Sequence, residues 1–563
     1  MAISAAAFFL LGLSGTSSTR PADDLVFTGA RIVDGTGAPA FVSDLCVAQG
    51  RIAAIAPVSP ERLARAVRRI DARGLVLAPG FIDLLGQSEY NALVDRRAAS
   101  KITQGITTEI TGEGSSIAPT NERLIEEGKD VWKRYGLTPD WTTLAEYFAR
   151  FARQAPTINL GTFIGLGTIR DLVMGPADRR ASPAELIAME HEVARGMEQG
   201  ALGVSTSLQY VPDMYNSTEE IIAMARVAAR YGGVYFTHQR SEGNRIDSSL
   251  DEVFRIAREA GIPADVWHLK TAYRPNWGRM DVVLARFEKA RAEGLDVAAN
   301  QYPWTAASNG LDACLPPWAR EGGRDAMLAR LADPAQRERM KDEMARDSAD
   351  WSNQYDGAGP AGILVSAVLN PALKKYEGQT IQQIAEVEKK DPRDAVIDLL
   401  VADRGGTACI TFIMSEDDVR AALKHRLVAF CTDSPAMAED GIFSKEKSHP
   451  RAWASTARIL GHYVRDEKLL PLEEAVRKMT SLPASRARLR DRGLVKEGFA
   501  ADLVAFDPVK VRDVSTYADP LHTSVGFPYV VVNGELVVDG GKITAARPGK
   551  PLRGAGYGAR TKP

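Results

Sequence analysis

The stretch "LVLAPGFIDLLGQSEYN", residues 75–91, decides how the chain is read. An apolar run from Leu75 to Ala78 passes through Pro79 and Gly80 into Phe81, Ile82 and Asp83. Short apolar runs of this kind are expected of strands buried on both faces in a parallel barrel. A strand that delivers its chain to a metal site would present His-x-His next. Here those two slots hold Leu85 and Gln87.

Outward from that stretch, seven further short apolar runs follow: "GITTEITG", "INLGTFIGLG", "ALGVST", "GVYFTH", "ADVWHLK", "LDVAANQYP" and "RLVAFCTDS". Between them lie amphipathic segments such as "STEEIIAMARVAARYG" and "SLDEVFRIAREAG". Strand and helix alternating in this way predict an α/β chain, a (β/α)8 TIM-type barrel over 78–485. The stretch between the seventh and eighth runs is too long for one crossover. Helical runs within it, "DPAQRERMKDEMARDSADW" and "IQQIAEVEKKDPRDAVIDLL", predict a small inserted subdomain near 310–405. Both flanks read as β-structure, with alternating apolar residues punctuated by Gly and Asp, and with Asn533-Gly534 as a hairpin signal. A small β-sandwich assembled from 24–77 and 486–553 is the expectation, followed by a tail over 554–563.

Composition excludes several function classes. The 563 residues are 45% hydrophobic and 25% charged, as in an ordinary globular protein. Lys and Arg number 70 against 72 acidic residues, and no basic cluster is interleaved with aromatics, so no nucleic-acid partner is implied. Cys46, Cys314, Cys409 and Cys431 are scattered without CxxC spacing, which predicts buried free thiols. The opening "MAISAAAFFLLGLSGTSS" has the apolar run and small residues of a signal peptide but no basic n-region; a signal-like segment over 1–23 and an exported or periplasmic protein are expected, with a cytoplasmic one as the alternative. No later stretch is long and apolar enough for a membrane helix. A homo-oligomer stays open.

Of seven histidines, two end predicted strands: His238 in "GVYFTHQRSEG" and His268 in "ADVWHLK"; Asp433 ends the last one in "VAFCTDS". Side chains at the C-terminal ends of barrel strands converge on one face. Two imidazoles and a carboxylate placed there suit zinc or a similar divalent ion. A lone strand-end His is an ordinary structural residue, but the three together, on strands five, six and eight, favour a metal site.

With these residues in view, the chain resembles the amidohydrolase superfamily, and within it the N-acyl-D-amino-acid deacylases (D-aminoacylases). The resemblance spans about 24–553 and rests on "LAPGFID", "GALGVSTSLQYVP", "YFTHQRSEG", "WHLKTA", "NQYPWTA", "CTDS", "SHPRAW", "KMTSLPASRARLRDRGLVKEGFAADLVAFDP" and "VVVNG", in this order. It implies a (β/α)8 barrel with a terminal β-sandwich, zinc, and hydrolysis of an amide bond. It also implies that His238 and His268 hold the tightly bound metal, with Glu113 of "TGEGSSIAP" in a slot usually held by Cys. A loop acid in solvent is the alternative for Glu113, but its position between Gly112 and Gly114 in a match to the motif favours a ligand; as a ligand, it is harder than a thiolate and shifts preference towards manganese or iron. Asp433 matches the general base, and Lys270 and Arg451 match contacts to a substrate carboxylate. Tyr302 and Tyr210 are read as pocket-lining or as core tyrosines, and Glu242 as an orienting acid or a helix-start acid.

The departures are as specific as the matches. Leu85-Gly86-Gln87 replaces His-x-His, no histidine precedes His191, and Leu166 in "GLGTIR" replaces a further family histidine. Leu85 offers no donor atom, Gln87 is a weak one placed against substrate, and Glu89 is a nearby acid that could partly compensate. One divalent metal per chain is therefore expected, serving a hydrolase of a small carboxylate-bearing amide, an N-acyl (D-)amino acid foremost. The alternatives are an amidohydrolase of other scope, such as a dipeptidase, cyclic amidase or deaminase, and a catalytically silent barrel that binds a partner.

Overall fold

A computed structural model describes residues 23–346, 348, 351–445 and 447–559. The signal-like opening and the last residues of the tail lie outside these. Eight parallel strands form the barrel: Phe81–Asp83, Ile106–Thr111, Asn159–Thr162, Gly203–Ser207, Val234–His238, Ala264–Val266, Val297–Gln301 and Val428–Phe430. Every residue in them is buried, which explains their apolar, non-alternating sequences. Strands one to three pair as one sheet and strands four to eight as another. The short continuation of strand three, Ile164–Gly165, crosses to pair with strand four and joins the two.

The helices between strands are set by local chemistry. Thr218–Arg230 starts at a capping box in which Ser217 and Glu220 each satisfy the other's backbone N–H. Ile246–Ala260 stops at Gly261, which has φ +63° and tolerates the left-handed turn that a side chain would resist.

The barrel's last gap, between strands eight and one, is closed by side chains and loop backbone more than by a ladder. The Thr432 N–H donates to Asp83 Oδ1 at 2.8 Å, the Asp433 N–H donates to the Leu85 carbonyl at 2.8 Å, and Gly86 bridges to Ser434. Behind this seam sits Lys101, on the short helix Ala99–Ile102 and wholly inaccessible to solvent. Its Nζ donates to Asp83 Oδ2 at 2.7 Å, Thr432 Oγ1 at 2.8 Å and the Ser434 carbonyl at 2.7 Å, with Glu109 Oε1 at 3.5 Å. Three short bonds satisfy all three donors of the ammonium.

The stretch from Leu75 to Asp83, read from sequence as one barrel strand, is two. Val76–Pro79 pairs antiparallel with Leu503–Phe506 in a sheet built from both chain ends, and the barrel begins only at Phe81. The break is at Gly80, where a Cβ would lie 2.2 Å from Thr107 Oγ1, so the chain passes strand two with no room for a side chain. The terminal sheet has nine strands, with 68–71 branching from the first of them. Alternation sorts its two faces: Leu77, Leu503 and Ala505 join Phe27 and Leu45, whereas Ala78, Val504 and Phe506 pack with Phe81 and Ile102 of the barrel. Asn533 and Gly534 both have positive φ, as the hairpin signal requires.

Between strands seven and eight, Ala306–Gly310, Ala408–Phe412 and Ile363–Ala367 form a three-stranded antiparallel sheet. Helices pack on it around a core that includes Leu311, Met327, Ile384 and Leu400. This unit reaches beyond 310–405 at both ends because its flanking strands are "AASNG" and "ACITF". The four cysteines are free and buried. Among the described residues, no helix is long and apolar enough to cross a membrane.

Removing one partner of a buried ion pair leaves the other charge uncompensated, at a cost of about 3–5 kcal/mol. Lys101→Met is expected to lose stability of that order in a denaturant titration; a loss under about 1 kcal/mol would mean that the seam does not depend on the ammonium.

Candidate metal centre

At the C-terminal mouth of the barrel, three donors from three strands meet. His238 is the last residue of strand five. His268 follows strand six by two residues with φ +34°, its N–H held by Asn300 Oδ1 at 2.6 Å. Glu113 follows strand two between Gly112 and Gly114, both at positive φ. At Gly114 a Cβ would come within 2.5 Å of the Ser207 N, so the loop lies flat against strand four and turns Glu113 inward.

Glu113 Oε1 is 3.0 Å from His238 Nδ1 and 2.8 Å from His268 Nε2. All three ligand atoms lie within 4.8 Å of one another. Two ring nitrogens aimed at one carboxylate oxygen require either a proton on each or a cation among them. Burial pushes the Glu113 carboxyl up, but His268 and His238 outweigh it and hold it well below the usual range. Burial and Lys270 oppose a proton on His268, yet Glu242 and Glu113 raise it to about 9. The pocket is thus a place that stabilises positive charge. Two imidazoles and a carboxylate, converging with their donor atoms inward, fit a divalent ion such as zinc.

Supporting contacts fix this triad. Gln87 Nε2 donates to Glu113 Oε2 at 2.7 Å, leaving Oε1 directed at the histidines. Glu242 Oε1 lies 3.0 Å from His268 Nδ1 and accepts from Lys270 Nζ at 2.6 Å. A carboxylate on the remote ring nitrogen orients a ligating imidazole. Glu242 is placed as an orienting acid would be. Leu85 is fully buried in the apolar barrel core. Glu89 is pushed up to about 7 by burial and accepts the Gly112 N–H at 2.9 Å.

Asp433, at φ +50° just past strand eight, lines the same cavity of about 820 Å³ as Glu113, His238 and His268. Burial raises its carboxyl above the ordinary range against the opposing pull of Arg451, whose Nη1 is 2.8 Å from Asp433 Oδ2. Lys270 and Arg451 also line the cavity. Tyr210 does too, with its OH accepting from Asn309 Nδ2 at 3.2 Å and its ring 5.1 Å from that of His238. Tyr302 sits differently from the pocket-lining expectation. It is fully buried, with Lys270 Nζ 5.5 Å and the Arg451 guanidinium 4.7 Å from its ring centre, so its ring faces those two cations. The sequence reading missed Lys101, Glu109 and His449, which accepts the Arg451 N–H on Nδ1 at 3.0 Å. Glu109 had a signal, an acid inside an apolar strand; Lys101 had none.

The family model described as "Amidohydrolase family" matches residues 68–538. A D-aminoacylase from Alcaligenes xylosoxydans xylosoxydans is 34% identical over 531 residues, 94% of this chain and 97% of the relative. Among solved structures, an N-acyl-D-glutamate deacylase from Bordetella bronchiseptica, complexed with zinc and a phosphonate mimic of the tetrahedral intermediate, superposes with a TM-score of 0.79 at 31% identity, covering 95% of this chain and 100% of that one. A D-aminoacylase studied for its binuclear metal centre, with one-metal activation and second-metal attenuation, gives 0.77 at 32% identity, covering 94% and 100%.

Loss of a group that orients a metal ligand typically lowers metal affinity about 10- to 100-fold. Gln87→Leu is expected to weaken zinc binding by that factor in a chelator competition, with the fold intact. Unchanged affinity would show that the 2.7 Å bond to Glu113 is incidental.

Proposed function

The chain belongs to the amidohydrolase family, and from that premise we propose that it is a metal-dependent deacylase that hydrolyses the linear amide of an N-acyl amino acid, the D series foremost. One observation carries this reading. Glu113, His238 and His268 converge in a cavity that also holds a half-buried carboxylate, Asp433, and two cations, Lys270 and Arg451.

We assign one divalent ion per chain to Glu113, His238 and His268, zinc first, with manganese or iron favoured further by the carboxylate ligand. When bound, such an ion polarises the scissile carbonyl and lowers the pKa of water. Asp433 accepts the proton of the attacking water, whose oxygen bonds to the amide carbon. As the C–N bond breaks, Asp433 returns that proton to the departing nitrogen, giving a carboxylic acid and a free amino acid. Burial suits Asp433 to this exchange, because a carboxyl raised from its ordinary range gives and takes a proton more evenly. Lys270 and Arg451 attract the substrate carboxylate. Arg451 is already paired with Asp433, but its Nε lacks a hydrogen-bond partner and leaves donor capacity for a second anion. Glu242 accepts from Lys270 Nζ and directs it, and Tyr210 forms a wall beside His238.

The test is a panel of N-acyl-D- and N-acyl-L-amino acids, dipeptides, lactams and nucleobases, run with and without a chelator. Hydrolysis confined to N-acyl amino acids, abolished by chelation and restored by zinc or manganese, is expected. Asp433→Asn should lower kcat about 100- to 10,000-fold while the metal content holds, as loss of a general base does. Turnover indifferent to chelation, or confined to the lactams or nucleobases, would contradict the proposal.

A further inference from the structure

The cavity continues past the metal triad into a bay formed by the loops after strands one and two and the first part of the loop after strand eight. Its walls are Tyr90, Ile117, Trp132, Tyr135, Met437 and Phe443. The rings interlock: Tyr90 lies edge-on to Trp132 at 6.0 Å and 5.7 Å from Tyr135, which is 5.6 Å from Phe443. Trp132 Nε1 donates to the Ile125 carbonyl at 3.1 Å, so its polar atom is already used and its ring is left as apolar surface. The cavity of about 820 Å³ takes in both the metal triad and this bay.

Connectivity says which part of a substrate reaches this bay. Lys270 and Arg451 follow strands six and eight, and the metal triad lies at strands two, five and six. In an N-acyl amino acid, the carboxylate and the side chain share the carbon attached to the amide nitrogen. The acyl chain hangs from the other side of the scissile carbonyl. With the carboxylate at Lys270 and Arg451 and the carbonyl at the triad, the group that extends towards strands one and two is the acyl group. We infer that the aromatic bay is an acyl subsite and that this chain is built for large apolar acyl groups, arylacetyl foremost, over acetyl. The inference rests on the deacylase reading for the substrate's orientation. Gln87 lines the same cavity and bonds to Glu113.

The experiment compares N-phenylacetyl-D-leucine with N-acetyl-D-leucine on the zinc-loaded full chain, by turnover and by quenching of tryptophan fluorescence. A kcat/KM about 10- to 100-fold higher for the phenylacetyl substrate is expected, the discrimination that an apolar pocket gives. Trp132→Ala should reduce that ratio at least tenfold, and Ile117→Trp, which fills the bay, should reverse it. Quenching by the phenylacetyl compound should be lost in Trp132→Phe. Equal kcat/KM for both substrates, or a ratio unmoved in both bay variants, overturns the subsite and leaves the deacylase reading standing. Binding that depends on Trp132 without any turnover overturns the deacylase reading and, with it, the assignment of the bay to an acyl group. Neither binding nor turnover overturns both.

Discussion

Lys101 places an ammonium where no water reaches it, and both edges of the barrel seam supply its partners: Asp83 from strand one, and Thr432 and the Ser434 carbonyl from just past strand eight. Such a charge is costly to bury unless every donor is satisfied, and here all three are. The same residues bracket Asp433. Its own N–H is held by Leu85, and its neighbours on either side bond to Lys101, so the left-handed φ of Asp433 is imposed from both directions. Glu109 extends this knot, receiving the Ser88 hydroxyl at 2.8 Å, with its carboxyl raised to about 7, chiefly by burial. Gly86 has to be glycine beside it, since a Cβ there would fall 1.7 Å from Glu109 Oε1.

That packing explains what the missing histidines mean. The loop after strand one is neither vacant nor worn down by loss. Leu85 is core, Gly86 makes room for Glu109, Gln87 braces Glu113, and Ser88 ties Glu109 to the Ala436 N–H. A stretch that would otherwise present ligands supports Glu113, the ligand proposed in their place. On the proposed reading, Glu113, His238 and His268 hold one cation, and one is enough, because a single ion both polarises a carbonyl and activates water.

Much of this was legible in the sequence, and the exceptions have physical causes. Buried parallel strands announce themselves as short apolar runs, so all eight barrel strands could be read. The first was overextended because Val76–Pro79 is equally apolar but pairs with Leu503–Phe506, a partner more than 400 residues away that no local pattern reveals. His238, His268 and Asp433 stood out because polar residues at strand ends are conspicuous. Tyr302 stayed open between pocket and core, since sequence position tells which loop a residue belongs to, not which way its ring faces; it is buried. Lys101 was invisible: a lysine on a short helix looks like surface, and only the assembled seam buries it.

The central claim is a single cation held by Glu113, His238 and His268. Anomalous diffraction from zinc-loaded crystals tests it most directly. One peak per chain, within bonding distance of those three side chains and with Gln87 still bound to Glu113, is the predicted result. A second peak of comparable height beside Gln87 or Glu89, or a single peak away from Glu113, would contradict the account.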